Sequence, residues 1–359
     1  MQQFDDNSDE RQLSAEPSRE QPEESDRVEP SPVVRADAEA GERPTEVDVA
    51  DLQSRPRTWR LSPLLDFLWT SAAIPAVSLV VFFLASLVMM LVAYAAVHGQ
   101  LDRGVFSDQQ AMRAVSESRV GLLLLVIAPQ FALVTPALIA AAFSSVRFRS
   151  RLSLIRGHWP LWAWVAAAVT TPLIGWISSI AVGTLLDESE NLKVMTDIFR
   201  GHGEAGFLVP LAILIGATPA FCEELLFRGF VQTRLLRRFG VVIGVLVSSA
   251  LFAVFHMDWV HIIAVFPLGV YLGTITWRSG SLFPAMLAHF INNAISVFAV
   301  VLAPEQQDQM PSLEMGLFLM VVLGASLLGA GFTALAFWRV PMPAGASPDD
   351  RSNLPQPRS

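Results

Sequence analysis

Eight apolar runs, at about 71–97, 120–143, 160–185, 206–233, 241–258, 260–277, 282–303 and 314–338, constrain this chain more than any other feature. A helix rises about 1.5 Å per residue, so a run of some 20 apolar residues matches a hydrocarbon layer about 30 Å thick. Composition agrees, with 52% of the 359 residues hydrophobic, 16% charged and a mean hydropathy of +0.46. Such values lie outside the range of soluble domains and exclude a cytosolic globular protein. The expected fold is all-α: a polytopic membrane protein with about eight transmembrane helices, forming one domain over 58–340. The runs 241–258 and 260–277 are short and abut at Asp258 and Trp259, which keeps a re-entrant pair open.

The flanks have a different character. Residues 1–57 hold 16 Asp or Glu against 7 Arg, with many Ser and Pro, too little apolar surface to order the segment. It is expected to be a disordered, acidic, cytoplasmic tail acting as a solvated linker, and 341–359 a second disordered tail. No basic stretch followed by a short apolar core marks a signal peptide, so the first span is expected to act as an uncleaved anchor. Basic residues favour the cytoplasmic side of short loops. With eight spans, Arg55, Arg57 and Arg60, then Arg147, Arg149, Arg151 and Arg156, then Arg234, Arg237 and Arg238, then Arg278, and finally Arg339 all fall on one side. The opposite loops carry Asp187, Glu188 and Glu190, or Glu305 and Asp308, although Arg103, Arg113 and Arg119 dilute the contrast. Both termini are therefore expected in the cytoplasm of a cell-membrane protein. A single lysine, Lys193, among arginines, with abundant Ala, Val and Gly, points to a GC-rich bacterial genome. Membrane lipids are expected partners, nucleic acid is not, and the oligomeric state stays open. The one cysteine, Cys222, excludes an internal disulfide and a Cys-x-x-Cys zinc site.

An ionisable side chain in hydrocarbon costs about 2.5 kcal/mol or more, so each one is a functional candidate. The fourth run carries Glu223 and Glu224 in mid-span, with Arg228 four residues beyond Glu224. That spacing stacks Glu224 and Arg228 on one helical face as an ion pair and leaves Glu223, about 100° away, available for chemistry. Pro219, one turn earlier, cannot donate to the helix ladder; it is expected to kink the helix and leave a carbonyl open to water. His256 ends the sequence Phe252-Ala253-Val254-Phe255-His256 on the fifth run, and His289 and Asn293 share a face of the seventh. Counted from the basic end of each span, Glu223 lies about 16 Å deep, His256 about 22 Å and His289 about 10 Å, a spread that tilt can close. A carboxylate, two imidazoles and an amide in one pocket are the parts for hydrolysing a peptide bond. Glu223 with His256 would deprotonate a water, while His289 and Asn293 would donate to the oxyanion.

These residues resemble the CAAX prenyl endopeptidase type II group, also called the CPBP or Abi intramembrane proteases. Its pattern of Glu-Glu-x-x-x-Arg, Phe-x-x-x-His and His-x-x-x-Asn is carried in order by Glu223, Glu224 and Arg228, by Phe252 and His256, and by His289 and Asn293. The likeness covers about 205–305, and the remaining spans suit an eight-helix architecture. It implies endoproteolysis of a membrane-associated protein or peptide, with Glu223, His256, His289 and Asn293 catalytic and Glu224, Arg228 and Phe252 supporting them. The family is often labelled metalloprotease, whereas the glutamate mechanism needs no metal ligand. No cofactor is assigned, and zinc stays open: without a His-Glu-x-x-His motif, it would require Glu223, His256 and His289 to meet.

Each of these residues also has a plainer reading. Glu223 alone could be a neutral core acid, Asn293 interhelical glue, and His256 or His289 a satisfied core histidine. His261 and Asp258 read as interfacial, as do Trp159, Trp162 and Trp164 at the start of the third span. Ala325 with Gly329 reads as a small-residue packing pair. Two further functions compete: a catalytically silent scaffold or bacteriocin-immunity-type binding protein of the same fold, and a proton-coupled transporter, which the lack of an inverted repeat disfavours.

Overall fold

A computed structural model describes residues 69–102, 104–144, 147–303 and 312–342. The expected tail 1–57 lies outside the described residues, as does the tail 341–359 beyond Met342; so do Arg55, Arg57, Arg60, Arg103, Glu305 and Asp308. Among the described residues the protein is helical and without strands. The helices that matter are α1 (Ile74–His98), α2 (Arg119–Ala142), α3 (Leu161–Gly183), α4 (Glu190–His202), α5 (Leu208–Glu224), α6 (Thr233–Phe239), α7 (Val241–Val254), α8 (Trp259–Ser279), α9 (Phe283–Leu302) and α10 (Leu313–Arg339). Between α5 and α6 the chain continues as a π-helix, Leu225–Gln232.

Among the described residues seven helical spans are long and apolar enough to cross a membrane, one of them the stretch Glu190–Phe239 that contains α4, α5 and α6. The eighth expected span falls short. With 14 residues, α7 covers only about 21 Å of the roughly 30 Å of hydrocarbon. The run 260–277, read as equally short, extends instead to the 21 residues of α8.

Large apolar residues cover the outer surface, among them Val80, Leu84 and Val88 of α1 and Val321, Leu328 and Phe332 of α10. In water such a surface would be a liability; against lipid tails it costs nothing. Helix α1 packs on α2, α3 on α9 and α10, α5 on α9, and α7 on α8. The α3–α10 seam is built from small residues. A side chain at Gly329 would stand 3.0 Å from the Ala166 carbonyl, and Thr170 Oγ1 meets Thr333 Oγ1 at 3.1 Å. Gly329 therefore packs closely as expected, but its seam neighbour is the buried Ser326, since Ala325 is exposed.

Three of the basic groups meet at one end of the bundle. The amide of His158 donates to the Ser279 carbonyl and that of Leu282 to the Ser153 carbonyl, while Arg278 Nη2 donates to the carbonyls of Phe337 (2.9 Å) and Val340. The loop after α2, the α8–α9 turn and the end of α10 are thereby joined. Trp159 departs from its interfacial reading: it is 1% exposed and packs edge-on against Phe337, whereas Trp162 does face outward.

Candidate active site

Both carboxylates sit at the end of α5, where α-helical bonding gives way to the buried π-helix Leu225–Gln232. Such π segments recur at functional sites. The two neighbours point to different surroundings. Glu224 is fully buried, and its Oε1 accepts from Arg228 Nη1 at 2.8 Å and from His289 Nδ1 at 2.9 Å. Arg228, equally buried, donates its Nη2 to the Gly269 carbonyl of α8 at 3.1 Å and lays its guanidinium over the Phe252 ring, 4.1 Å from the centroid. The pair is thus neutralised and tied to α7, α8 and α9, as a buried charge must be if it is not to cost several kcal/mol. Phe252 also meets the rings of His256 and His289 edge-on, at 5.1 and 5.7 Å.

Glu223 turns instead to a cavity of about 520 Å³, which it shares with His256, His289 and Asn293. Its Oε1 accepts from Gln130 Nε2 at 2.9 Å, and its Oε2, buried and without a hydrogen-bond partner among the described residues, stands 4.0 Å from His289 Nε2. His289 therefore bridges the two carboxylates. His256 is not within a helix, as the sequence suggested, but in the turn after α7, and its Nδ1 donates to the Phe252 carbonyl at 3.1 Å. A carbonyl only accepts, so Nδ1 carries the proton and Nε2 is left for other partners. The next residue, Met257, has φ of 54°, a left-handed conformation that costs a β-carbon-bearing residue roughly 1–2 kcal/mol and is found where neighbours hold a turn in place.

Pro219 explains Asn293. The missing proline N–H frees the carbonyl of Ile215, four residues earlier, and Asn293 Nδ2 donates to it at 3.4 Å. The carbonyl expected to open to water is taken by the neighbouring helix. Asn293 Oδ1 accepts from Asn292 Nδ2 at 3.2 Å, which leaves the second Nδ2 proton for the cavity.

Gln130, Asn292, Ser179, Thr196 and Ser296 are polar residues of the cavity that the sequence reading missed, and His261 is one that it misread. His261, read as interfacial, packs against His256 with ring centroids 4.7 Å apart and the rings tilted by 44°. Asp258, read likewise, is the N-cap of α8 and accepts from the His261 amide at 3.0 Å. Hydrogen bonding from the Ser189 hydroxyl, and next from that amide, holds its carboxyl below the usual carboxylate range. Cys222 is buried beside Glu223 and does not line the cavity. Among the described residues no three of His, Cys, Asp and Glu converge closely enough to hold a metal ion, so the zinc set Glu223, His256 and His289 does not form.

The segment holding these residues can now be compared with known proteins. Residues 205–295 match the Rce1-like family, described as type II CAAX prenyl endopeptidase Rce1-like. The chain is also similar to YpbD of Bacillus subtilis (strain 168), an uncharacterised protein, with 35% identity over 91 residues, 24% of this chain and 44% of the relative. The chain thus spans less than half the length of that relative. No solved structure matches. The fold is accordingly that of a multi-pass, all-α membrane protein with a CAAX-protease-type segment. Glu223, Glu224, Arg228, Phe252, His256, His289 and Asn293 all lie inside it, whereas Gln130 and the cavity-lining Trp176, Leu192 and Phe199 come from outside.

Proposed function

We propose that the protein is an intramembrane endopeptidase that hydrolyses a peptide bond of a membrane-associated protein or peptide. The observation that carries this reading is the shared cavity: Glu223, His256, His289 and Asn293 line one space of about 520 Å³, within the range of ligand pockets, inside a segment that matches a family of endopeptidases. In this reading Glu223 Oε2, with His256 Nε2, takes a proton from a water as its oxygen attacks the scissile carbonyl carbon. The oxyanion accepts from Asn293 Nδ2 and His289 Nε2. Because His289 Nδ1 already donates to Glu224, donation from Nε2 requires a proton on both ring nitrogens. The intermediate then collapses, and the proton held by Glu223 passes to the departing amine. No step uses a metal ion.

We further propose that the domain lies in a bacterial cell membrane with the joined basic loops and both termini in the cytoplasm. The test is cleavage of a pool of short membrane-anchored peptides, followed by mass spectrometry, by the detergent-purified protein and its Glu223→Gln variant, each with and without chelator. The variant should lose at least about 100-fold in rate while folding normally, and wild-type cleavage should survive chelation. Equal cleavage by the variant would overturn the role given to Glu223, and no cleavage by either protein would favour the silent scaffold.

A further inference from the structure

Gln130 is the one side chain on α2 that reaches the candidate base. It lies 93 residues from Glu223 and outside the Rce1-like segment, and its Nε2 donates to Glu223 Oε1 at 2.9 Å. Two atoms of the pair, Glu223 Oε2 and Gln130 Oε1, are buried without a hydrogen-bond partner among the described residues. We propose that Gln130 is a positioning residue that sets which oxygen of Glu223 acts as the base. This inference rests on the endopeptidase reading.

The argument is one of competing acceptors. A carboxylate has two equivalent oxygens, and an N–H donated to one makes it the poorer proton acceptor and fixes the plane of the group. With Oε1 held by Gln130, the proton from water goes to Oε2, the oxygen facing His289. The other charged or titratable groups around Glu223 do not do this. Glu224 and Arg228 are engaged with each other, His289 approaches Oε2 only to 4.0 Å, and His256 and His261 face the cavity from the α7–α8 turn and the start of α8. Helices α2, α3 and α4 present no titratable side chain to the cavity, and of the polar side chains they do present, Gln130, Ser179 and Thr196, Gln130 is the one shown hydrogen-bonded to Glu223.

The experiment compares the full-length wild type with Gln130→Leu, Gln130→Glu and Glu223→Gln in detergent, by infrared difference spectroscopy and by peptide cleavage. The difference between wild type and Glu223→Gln identifies the carboxylate band of Glu223. That band should shift in Gln130→Leu, and kcat should fall about 10- to 100-fold while KM moves little, the signature of a misplaced reacting group. Gln130→Glu keeps the shape of the side chain but has no N–H to donate. It should lose kcat at least as strongly, and it carries the test if the leucine variant does not fold. An unshifted Glu223 band in Gln130→Leu, or wild-type kcat in Gln130→Glu, overturns the inference while leaving the endopeptidase reading intact. A shifted band in a protein whose cleavage is indifferent to Glu223→Gln confirms the contact but removes the base it was to position, and so places the failure in the mechanism.

Discussion

At the scale of single residues, the adjacent glutamates differ because their partners differ. One oxygen of Glu224 serves both Arg228 and His289, so the ion pair read from the i, i+4 spacing is also what orients an imidazole of the cavity. Removing one partner of a fully buried pair leaves an uncompensated charge and costs about 3–5 kcal/mol, against at most about 1 kcal/mol for an exposed pair. Arg228→Met should therefore lower the unfolding midpoint in detergent markedly and abolish cleavage. Arg228→Lys should rescue neither, because a point charge cannot span Glu224, the Gly269 carbonyl and the Phe252 ring together. A lysine variant as stable as wild type would contradict this. Gln130 was open to notice as the single strongly polar side chain between Arg119 and Thr135. Nothing local says that it meets Glu223, since the meeting depends on how α2 packs against α5.

At the scale of elements, the decisive departure from the sequence reading is the short α7. Helical periodicity put His256 inside a span, yet α7 stops at Val254 and the histidine is carried by a turn. The amides of Phe255 and His256 close that turn by donating to the carbonyls of Leu251 and Ala253. Asp258 then starts α8, and loss of such an N-cap costs about 1 kcal/mol. Because its carboxyl is held below the ordinary value of 3.8, its contribution is present above that pH and disappears as pH falls through the lowered value. Asp258→Ala should accordingly be less stable than wild type at neutral pH, and the gap should close as pH falls through the lowered value. Thermal unfolding in detergent across pH measures it; a gap that persists undiminished in acid would rule out the carboxylate as its source. Its neighbours His256 and His261 make the same variant a sensitive reporter of how firmly the turn holds the cavity.

At the scale of the whole molecule, seven long spans and one short helix arrange a polar cavity inside an apolar exterior. The proposed orientation is open to a direct check, because the single native cysteine is buried and gives little background labelling. Cysteine introduced at Arg237, beyond the π-helix, should react with an impermeant reagent only from the cytoplasmic face, and cysteine introduced at Glu188, in the loop before α4, only from the other. Labelling of both from one face would refute the proposed topology. The contacts joining the loop after α2, the α8–α9 turn and the end of α10 make a common side for those three groups a property of packing and not of charge counting alone.

Hydropathy and spacing by themselves determined the all-α membrane class, most of the span boundaries and the set of polar residues that intrude on the spans, because charge in hydrocarbon is too costly to occur without a reason. Periodicity also separated the faces of Glu223 and Glu224, since that is a property of one helix. Only the tertiary structure decided which side chains meet. It brought Gln130 to Glu223, His289 between both carboxylates, Asn293 to the carbonyl freed by Pro219, and His261 from its expected interface into the cavity. Those contacts join residues distant in the chain, and a repeat pattern specifies the face a residue occupies but not the neighbour across it.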